Sequence, residues 1–168
     1  MAFLVRKIDM SYWNVEAQPT PVNADAITKC LRTSGNTLSV WRVNSKEEIS
    51  EALLAIAASQ HHLRKIDIVV LDEIKLLEKE ISIVEVLGES PCTDLNPKHR
   101  DLSNLNINSL DVISEAVAAE IRAKENIHCF TIVKLKALLE GAVGQGRIIP
   151  ENLALDVRKK LSIPQPAQ

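Results

Sequence analysis

The chain has 168 residues, of which 46% are hydrophobic and 25% are charged, with 20 Lys and Arg against 22 Asp and Glu. This composition is that of a globular protein with a sizeable core, and it excludes disordered, collagen-like and disulfide-stapled classes. The net charge of −2 excludes a protein coated with positive charge for nucleic acids or anionic membranes, although it leaves room for one local basic groove.

The first half of the chain alternates β-branched runs with helical patterns, which predicts an α/β fold class with a small mixed sheet of about four strands. An edge strand is expected over residues 3–8, and further strands over 37–43, 66–71 and 81–87. The run over 66–71 is almost entirely apolar, as in a parallel strand covered on both faces. Only residues 72–80 separate it from the next run, so an antiparallel pairing stays open.

Helix starts in the first half are predicted from capping residues. Asn23 and Asp72 are expected N-caps, because their side chains can accept from free backbone N–H groups. Ser45 followed by Glu48 predicts a capping box at the start of an apolar helix. The first of these helices is expected over residues 24–33.

The second half is predicted to be helical after one long loop. Residues 88–108 show no hydrophobic periodicity, and helices are expected over 109–125, 131–143 and 150–161. The sequence thus predicts a single domain over 1–168. Its parts are an alternating strand and helix region (1–87), the loop (88–108), a helical region (109–161) and a loose tail (162–168).

The long loop holds the best candidate for a catalytic site, because Cys92, Asp94, His99 and Asp101 bring a thiol, two carboxylates and an imidazole together. His99 would act as a general base, with Asp101 or Asp94 as the carboxylate that orients it and Cys92 or water as the nucleophile. The structural alternative is that the polar side chains form turns and His99 lies exposed.

Two further pairs are candidate binding residues. Arg42 and Glu85 each lie on an apolar face of a predicted strand, so they either pair with each other, serve a ligand, or reach solvent along their stems. Tyr12 and Trp13 follow the predicted edge strand and either anchor a partner or cover the rim of the core.

The histidines and cysteines lack the spacing that preorganises metal ligands, so neither a metal nor a cofactor is predicted. Cysteines without disulfide spacing are typical of a reducing compartment, and we expect a cytoplasmic protein. Residues 2–5 are too short for a signal-peptide core, and the longest uncharged run, 52–63, is too short to span a membrane.

By elimination, the sequence favours a protein that binds another protein, as an inhibitory, immunity-like or complex-assembly component. The alternative is a small hydrolase or transferase that uses the His/Asp site of the 88–108 loop. A nucleic-acid partner is not favoured, since basic residues and stacking aromatics are scattered along the chain. The oligomeric state stays open.

Overall fold

A computed structural model describes residues 2–13 and 22–162. Within these residues the chain forms six strands, β1 (Phe3–Ile8), β2 (Leu38–Val43), β3 (Ile66–Asp72), β4 (Ser82–Glu85), β5 (His99–Ser103) and β6 (Ile127–Phe130). The α-helices are α1 (Ala24–Cys30), α2 (Ile49–Ala58), α3 (Glu73–Glu78), α4 (Ile107–Ala123), α5 (Ile132–Gly144) and α6 (Leu155–Lys160). Short 3-10 helices cover Met10–Tyr12, Lys46–Glu48, Thr93–Lys98 and Pro150–Asn152.

The strands form one sheet in the order β4-β5-β2-β1-β3-β6, and every neighbouring pair is antiparallel. β1 pairs with β3 along its whole length but with β2 only from Phe3 to Val5, opposite Val43 to Trp41. β2 pairs with β5 from Leu38 to Trp41, so Trp41 has a partner strand on both sides. The sheet therefore opens between β1 and β2 beyond the Val5–Trp41 pair.

Helices cover both faces of the sheet and create two separate cores. α2, α5 and α6 pack on the face that carries Val5 and Trp41, while α1, α3 and α4 pack on the face that carries Leu4 and Val40. β3 contributes alternate residues to each core, which explains why its sequence is apolar except for Asp67 and Asp72. Burial on both faces was predicted correctly for this strand. Its neighbours are antiparallel, the alternative that the sequence left open, so the prediction of a mixed sheet is wrong.

The mixed α/β class is confirmed, and the sheet is larger than predicted. β1 is a central strand rather than an edge strand, because β2 and β3 flank it. The predicted 88–108 loop contains a 3-10 helix and β5, and the predicted helical half contains β6. Both missed strands are short, and their side chains lack a continuous buried face; in β5 only Leu102 is fully buried.

Helix capping follows the sequence at two of three predicted positions. Asn23 accepts from the backbone N–H of Asp25, and Asp72 accepts from those of Ile74 and Lys75. The capping box is not formed, since the side chain of Ser45 makes no capping bond and Glu48 instead accepts from the N–H of Asn44.

Among residues 2–13 and 22–162, no helix is both long and apolar enough to cross a bilayer. Apart from residue 162, the predicted tail lies outside the described residues.

Candidate functional site

The four candidate residues of the 88–108 segment separate into two groups. The first group is Cys92 and Asp94, which join Arg147 at the end of α5. The Cys92 thiol donates to Asp94 Oδ1 at 3.0 Å, and Asp94 Oδ2 accepts from Arg147 Nη2 at 2.8 Å. Arg147 also binds Glu51 of α2, so these contacts link three separate parts of the chain.

This first group favours a structural role for Cys92. The thiol is fully buried, and burial together with the hydrogen bond to Asp94 raises the pKa of Cys92 to about 12. A thiol nucleophile reacts as the thiolate, which this environment disfavours. Asp94 is likewise engaged, as the ion-pair partner of Arg147.

The second group is His99 and Asp101, which lie two residues apart on β5 and so share one face of the sheet. His99 Nδ1 lies 3.1 Å from the carbonyl oxygen of Val86, while Nε2 lies 3.9 Å from Asp101 Oδ1. The imidazole meets the ring of Trp41 edge to face, with centroids 5.2 Å apart. Both side chains are mostly buried, and Asp101 Oδ1 has no hydrogen-bond partner.

This geometry assigns the imidazole roles differently from the sequence hypothesis. A carbonyl oxygen only accepts, so the contact with Val86 puts the Nδ1 proton on the side away from Asp101. Nε2 is then the basic atom. Asp101 lies on the Nε2 side of the ring, so it does not accept the Nδ1 proton and does not orient the ring. The backbone carbonyl of Val86, not a carboxylate, orients the ring.

Buried polar contacts hold the segment that leads into β5. Asn96 Oδ1 accepts from the N–H of Ser90 at 2.8 Å, and the Asn96 carbonyl accepts from the N–H of Gly88 at 3.0 Å. Gly88 lies so close to its neighbours that a Cβ atom there would sit 2.9 Å from Trp41 Cη2 and 3.0 Å from His99 Cβ. A glycine at this position is thus required by close packing.

Arg42 and Glu85 do not pair with each other, because β5 lies between β2 and β4. Arg42 forms a bidentate ion pair with Glu73, at 2.8 and 3.1 Å. Glu85 accepts from Arg100 Nη2 at 2.7 Å across the β4–β5 pair. The alternative in which the two charges pair with each other is therefore wrong, and each has its own partner.

Tyr12 and Trp13 do not form an exposed anchor. Trp13 is only 6% exposed and packs in the core beneath α1 and α4, where its indole N–H donates to Cys30 Sγ at 3.3 Å. Tyr12 is half-buried against the same core. The pair therefore belongs to the interior more than to the surface.

Two adjoining clefts were not predicted from the sequence. The first, the basic cleft, has a volume of about 320 Å³ at the opening between β1 and β2 and is lined by Arg6, Lys7 and Arg64. The second, the His99 cleft, has a volume of about 510 Å³. The two share Trp41, Ser59, Gln60 and His61 in their walls.

The cationic residues of the basic cleft gave one weak signal in the sequence. Arg6 and Lys7 stand next to each other in a strand that is otherwise mostly apolar, which is unusual for a central strand. Arg64 follows α2 and comes near Lys7 only because α2 packs over β1 and β2. Its distance along the chain gives no indication of this meeting.

Exposed large apolar side chains are concentrated in one stretch of the chain. Between residues 74 and 87 they are Ile74, Leu77, Val84, Val86 and Leu87, and Leu87 is 72% exposed. The stretch contains α3 and the edge strand β4. No residues of the described chain pair with the outer side of β4.

Among the described residues, no group of three or more His, Cys, Asp or Glu side chains is arranged to hold a metal ion. Comparisons of the chain with known protein families, with curated protein sequences and with solved structures found no match.

Proposed function

We propose that this protein acts by binding another protein, as an inhibitory, immunity-like or complex-assembly component, and that the partner adds an extended segment to the outer edge of β4. The observation that carries the proposal is the unpaired edge of β4 beside the exposed apolar stretch 74–87. An exposed edge offers a row of backbone donors and acceptors that another strand can use.

β4 is short, but it also lacks the residue types that usually protect an edge strand. Its sequence contains neither Lys nor Pro, and its only charged residue, Glu85, is engaged by Arg100. Val84, Val86 and Leu87 would supply the apolar contacts that give a bound strand its specificity. The exposed apolar side chains distinguish β4 from the opposite edge strand, β6.

β6 is a weaker candidate for the same role. Ile127 and Phe130 pack against the two cores, and Cys129 donates to Asp67 Oδ1 at 2.6 Å. Its side chains are already used within the fold. The proposal includes a cytoplasmic location, which the three unpaired cysteines support.

The test is affinity capture from the native lysate with the wild-type chain and two double variants as baits. The edge variant, Val84→Lys/Val86→Lys, adds charges beside the strand edge. The control variant, Ile107→Lys/Val133→Lys, makes the same change at exposed apolar positions on α4 and α5. We expect one protein to be captured stoichiometrically by the wild type and the control and to be lost from the edge variant.

Hydrogen exchange of the captured complex then locates the contact. Protection of amides in residues 82–87 supports strand addition at β4. Equal capture by all three baits, or protection confined to other elements, overturns the proposal. Protection of 82–87 at high concentration without any partner would identify a second copy of the chain as the added strand.

The second candidate function is the hydrolase or transferase, favoured by the position of His99 in the wall of a cleft, with Asp101 Oδ1 3.9 Å from its Nε2. Water rather than Cys92 would be the nucleophile, with His99 Nε2 as the base. In a substrate screen, His99→Ala is expected to abolish turnover while Cys92→Ala retains it. Activity that survives His99→Ala would remove this candidate.

A further inference from the structure

We propose that the basic cleft binds the phosphate group of a small phosphorylated molecule, with the organic part of that molecule extending toward the His99 cleft. This site is separate from the β4 edge, so it stands or falls independently of the proposed partner.

The wall of the basic cleft carries positive charge that no ion pair of the described residues compensates. In the part of the chain that the structure describes, Arg6, Lys7 and Arg64 have no carboxylate oxygen within 4.0 Å. Other arginines, such as Arg42 and Arg147, are paired with glutamates. A carboxylate ligand carries a single charge, whereas a phosphate monoester is close to doubly charged at neutral pH. Lys7 and Arg64 on the cleft side of the sheet, together with Arg6 at the opening between β1 and β2, therefore favour the phosphate.

Arg6 lies at the point where β1 and β2 separate. Its Nη1 donates to the Ser39 carbonyl at 2.7 Å and its Nη2 to the Cys30 carbonyl at 3.0 Å, while Nε is buried without a partner. Burial lowers the pKa of Arg6 to about 10, and the opposing effects of Cys30 and Asp101 only partly offset it. Such a partly desolvated cation is stabilised by an anion.

Lys7 is also affected by the neighbouring positive charges. Withdrawal from water lowers the pKa of Lys7, and the positive charges of Arg64 and Arg6 lower it further, against a smaller opposing effect of Asp9. Lys7 is thus repelled by both arginines in the free protein. A bound dianion would replace this repulsion by attraction.

The wall that the two clefts share contains a hydrogen-bond donor without a partner, on Gln60. Gln60 is 7% exposed, and its Oε1 accepts from the N–H of Arg64 at 3.4 Å. Its Nε2 is buried and has no hydrogen-bond partner. A buried amide without a partner is costly, and a ligand oxygen between the clefts would satisfy it.

The volumes of the two clefts indicate the size of the ligand. The basic cleft of about 320 Å³ and the adjoining cleft of about 510 Å³ lie in the range of small-molecule sites. Trp41 lies in both walls and offers apolar surface to the organic part. Inorganic phosphate would occupy only the basic cleft and should bind more weakly than a phosphate monoester.

The test is an NMR titration of the full chain with inorganic phosphate, with adenosine monophosphate and, separately, with a short single-stranded oligonucleotide. We expect both phosphate probes to shift the amides of residues 39 and 60–64, and adenosine monophosphate also to shift the indole N–H of Trp41.

Two double variants with the same loss of charge separate the site from general electrostatics. Lys7→Gln/Arg64→Gln removes two cations of the cleft, while Lys75→Gln/Lys79→Gln removes two exposed cations of the α3 region. We expect the first to weaken binding of adenosine monophosphate by at least about tenfold, because each charge-assisted hydrogen bond contributes substantially, and the second to leave it within about twofold.

The outcomes divide clearly. Equal affinity of the two double variants, or no shift at millimolar probe, overturns the proposal. Tighter binding of the oligonucleotide than of the mononucleotide would also overturn it, by assigning the cations to a nucleic-acid backbone.

Discussion

Replacement of Gly88 by alanine tests the close packing that joins β2, β5 and the segment before β5. The added Cβ atom would lie 2.9 Å from Trp41 Cη2, 3.0 Å from His99 Cβ and 3.1 Å from Asn96 Oδ1. None of these atoms moves easily, because Trp41 is 9% exposed, the His99 atom is attached to the backbone of β5, and Asn96 is bonded to Ser90 on both sides.

Overpacking of this kind costs about 1–3 kcal/mol, which for a chain of this size lowers the melting temperature by about 2–12 °C. The measurement is urea unfolding followed by far-UV circular dichroism, with the slope compared between variants to confirm that only stability has changed.

Gly141→Ala is the matched control, since Gly141 lies inside α5 with no atom within 4 Å of the added Cβ. Alanine is expected to stabilise that helix by about 0.5–1 kcal/mol. The reasoning on close packing is refuted if Gly88→Ala unfolds at the wild-type urea concentration while Gly141→Ala behaves as expected.

Three further outcomes follow from burial and charge. Trp13→Ala should destabilise the fold by about 3–5 kcal/mol in thermal melts, whereas an unchanged melting temperature would mean that the side chain does not belong to the core. Burial alone would raise the pKa of Asp94, but hydrogen bonds from Cys92 and Arg147 outweigh it and lower the pKa below the ordinary 3.8. The stability that Asp94 contributes is thus present above that value and is lost as the pH falls through the lower folded pKa, and acid titration of Arg147→Gln should show a smaller loss. At pH 8, Ellman's reagent should label the exposed Cys129 before the two buried thiols, but slowly, because the hydrogen bond to Asp67 raises the pKa of Cys129; the buried thiols should react only after unfolding, and reaction of all three at one rate would contradict their burial.

The elements that the sequence predicted well are those whose own residues make the buried face. β3 is mostly apolar because both of its faces are covered, and α4 carries Ile113, Val117 and Ile121 at helical spacing. β5 could not be predicted in this way, since His99, Arg100 and Asp101 give it no apolar alternation. It is a strand because β2 and β4 pair with it on both sides.

The candidate site divides along the same line. His99 and Asp101 are close in sequence, but their shared face depends on β5, which the sequence did not predict. The separation of Cys92 and Asp94 depends on Arg147, which is distant in sequence and reaches them only after α5 packs on α2. Lys7 and Arg64 likewise meet through tertiary packing, so no local pattern announces the basic cleft.

The central position of β1 determines how the native sheet opens for amide exchange. β1 joins the group β4-β5-β2 to the group β3-β6, and its ladder with β2 is shorter than its ladder with β3. Partial opening should therefore separate β2 from β1 and leave β1 attached to β3, so that these two groups exchange as distinct cooperative units. Amides of β3 would then report global unfolding, while those of β2 near Trp41 would report the smaller event at the mouth of the basic cleft.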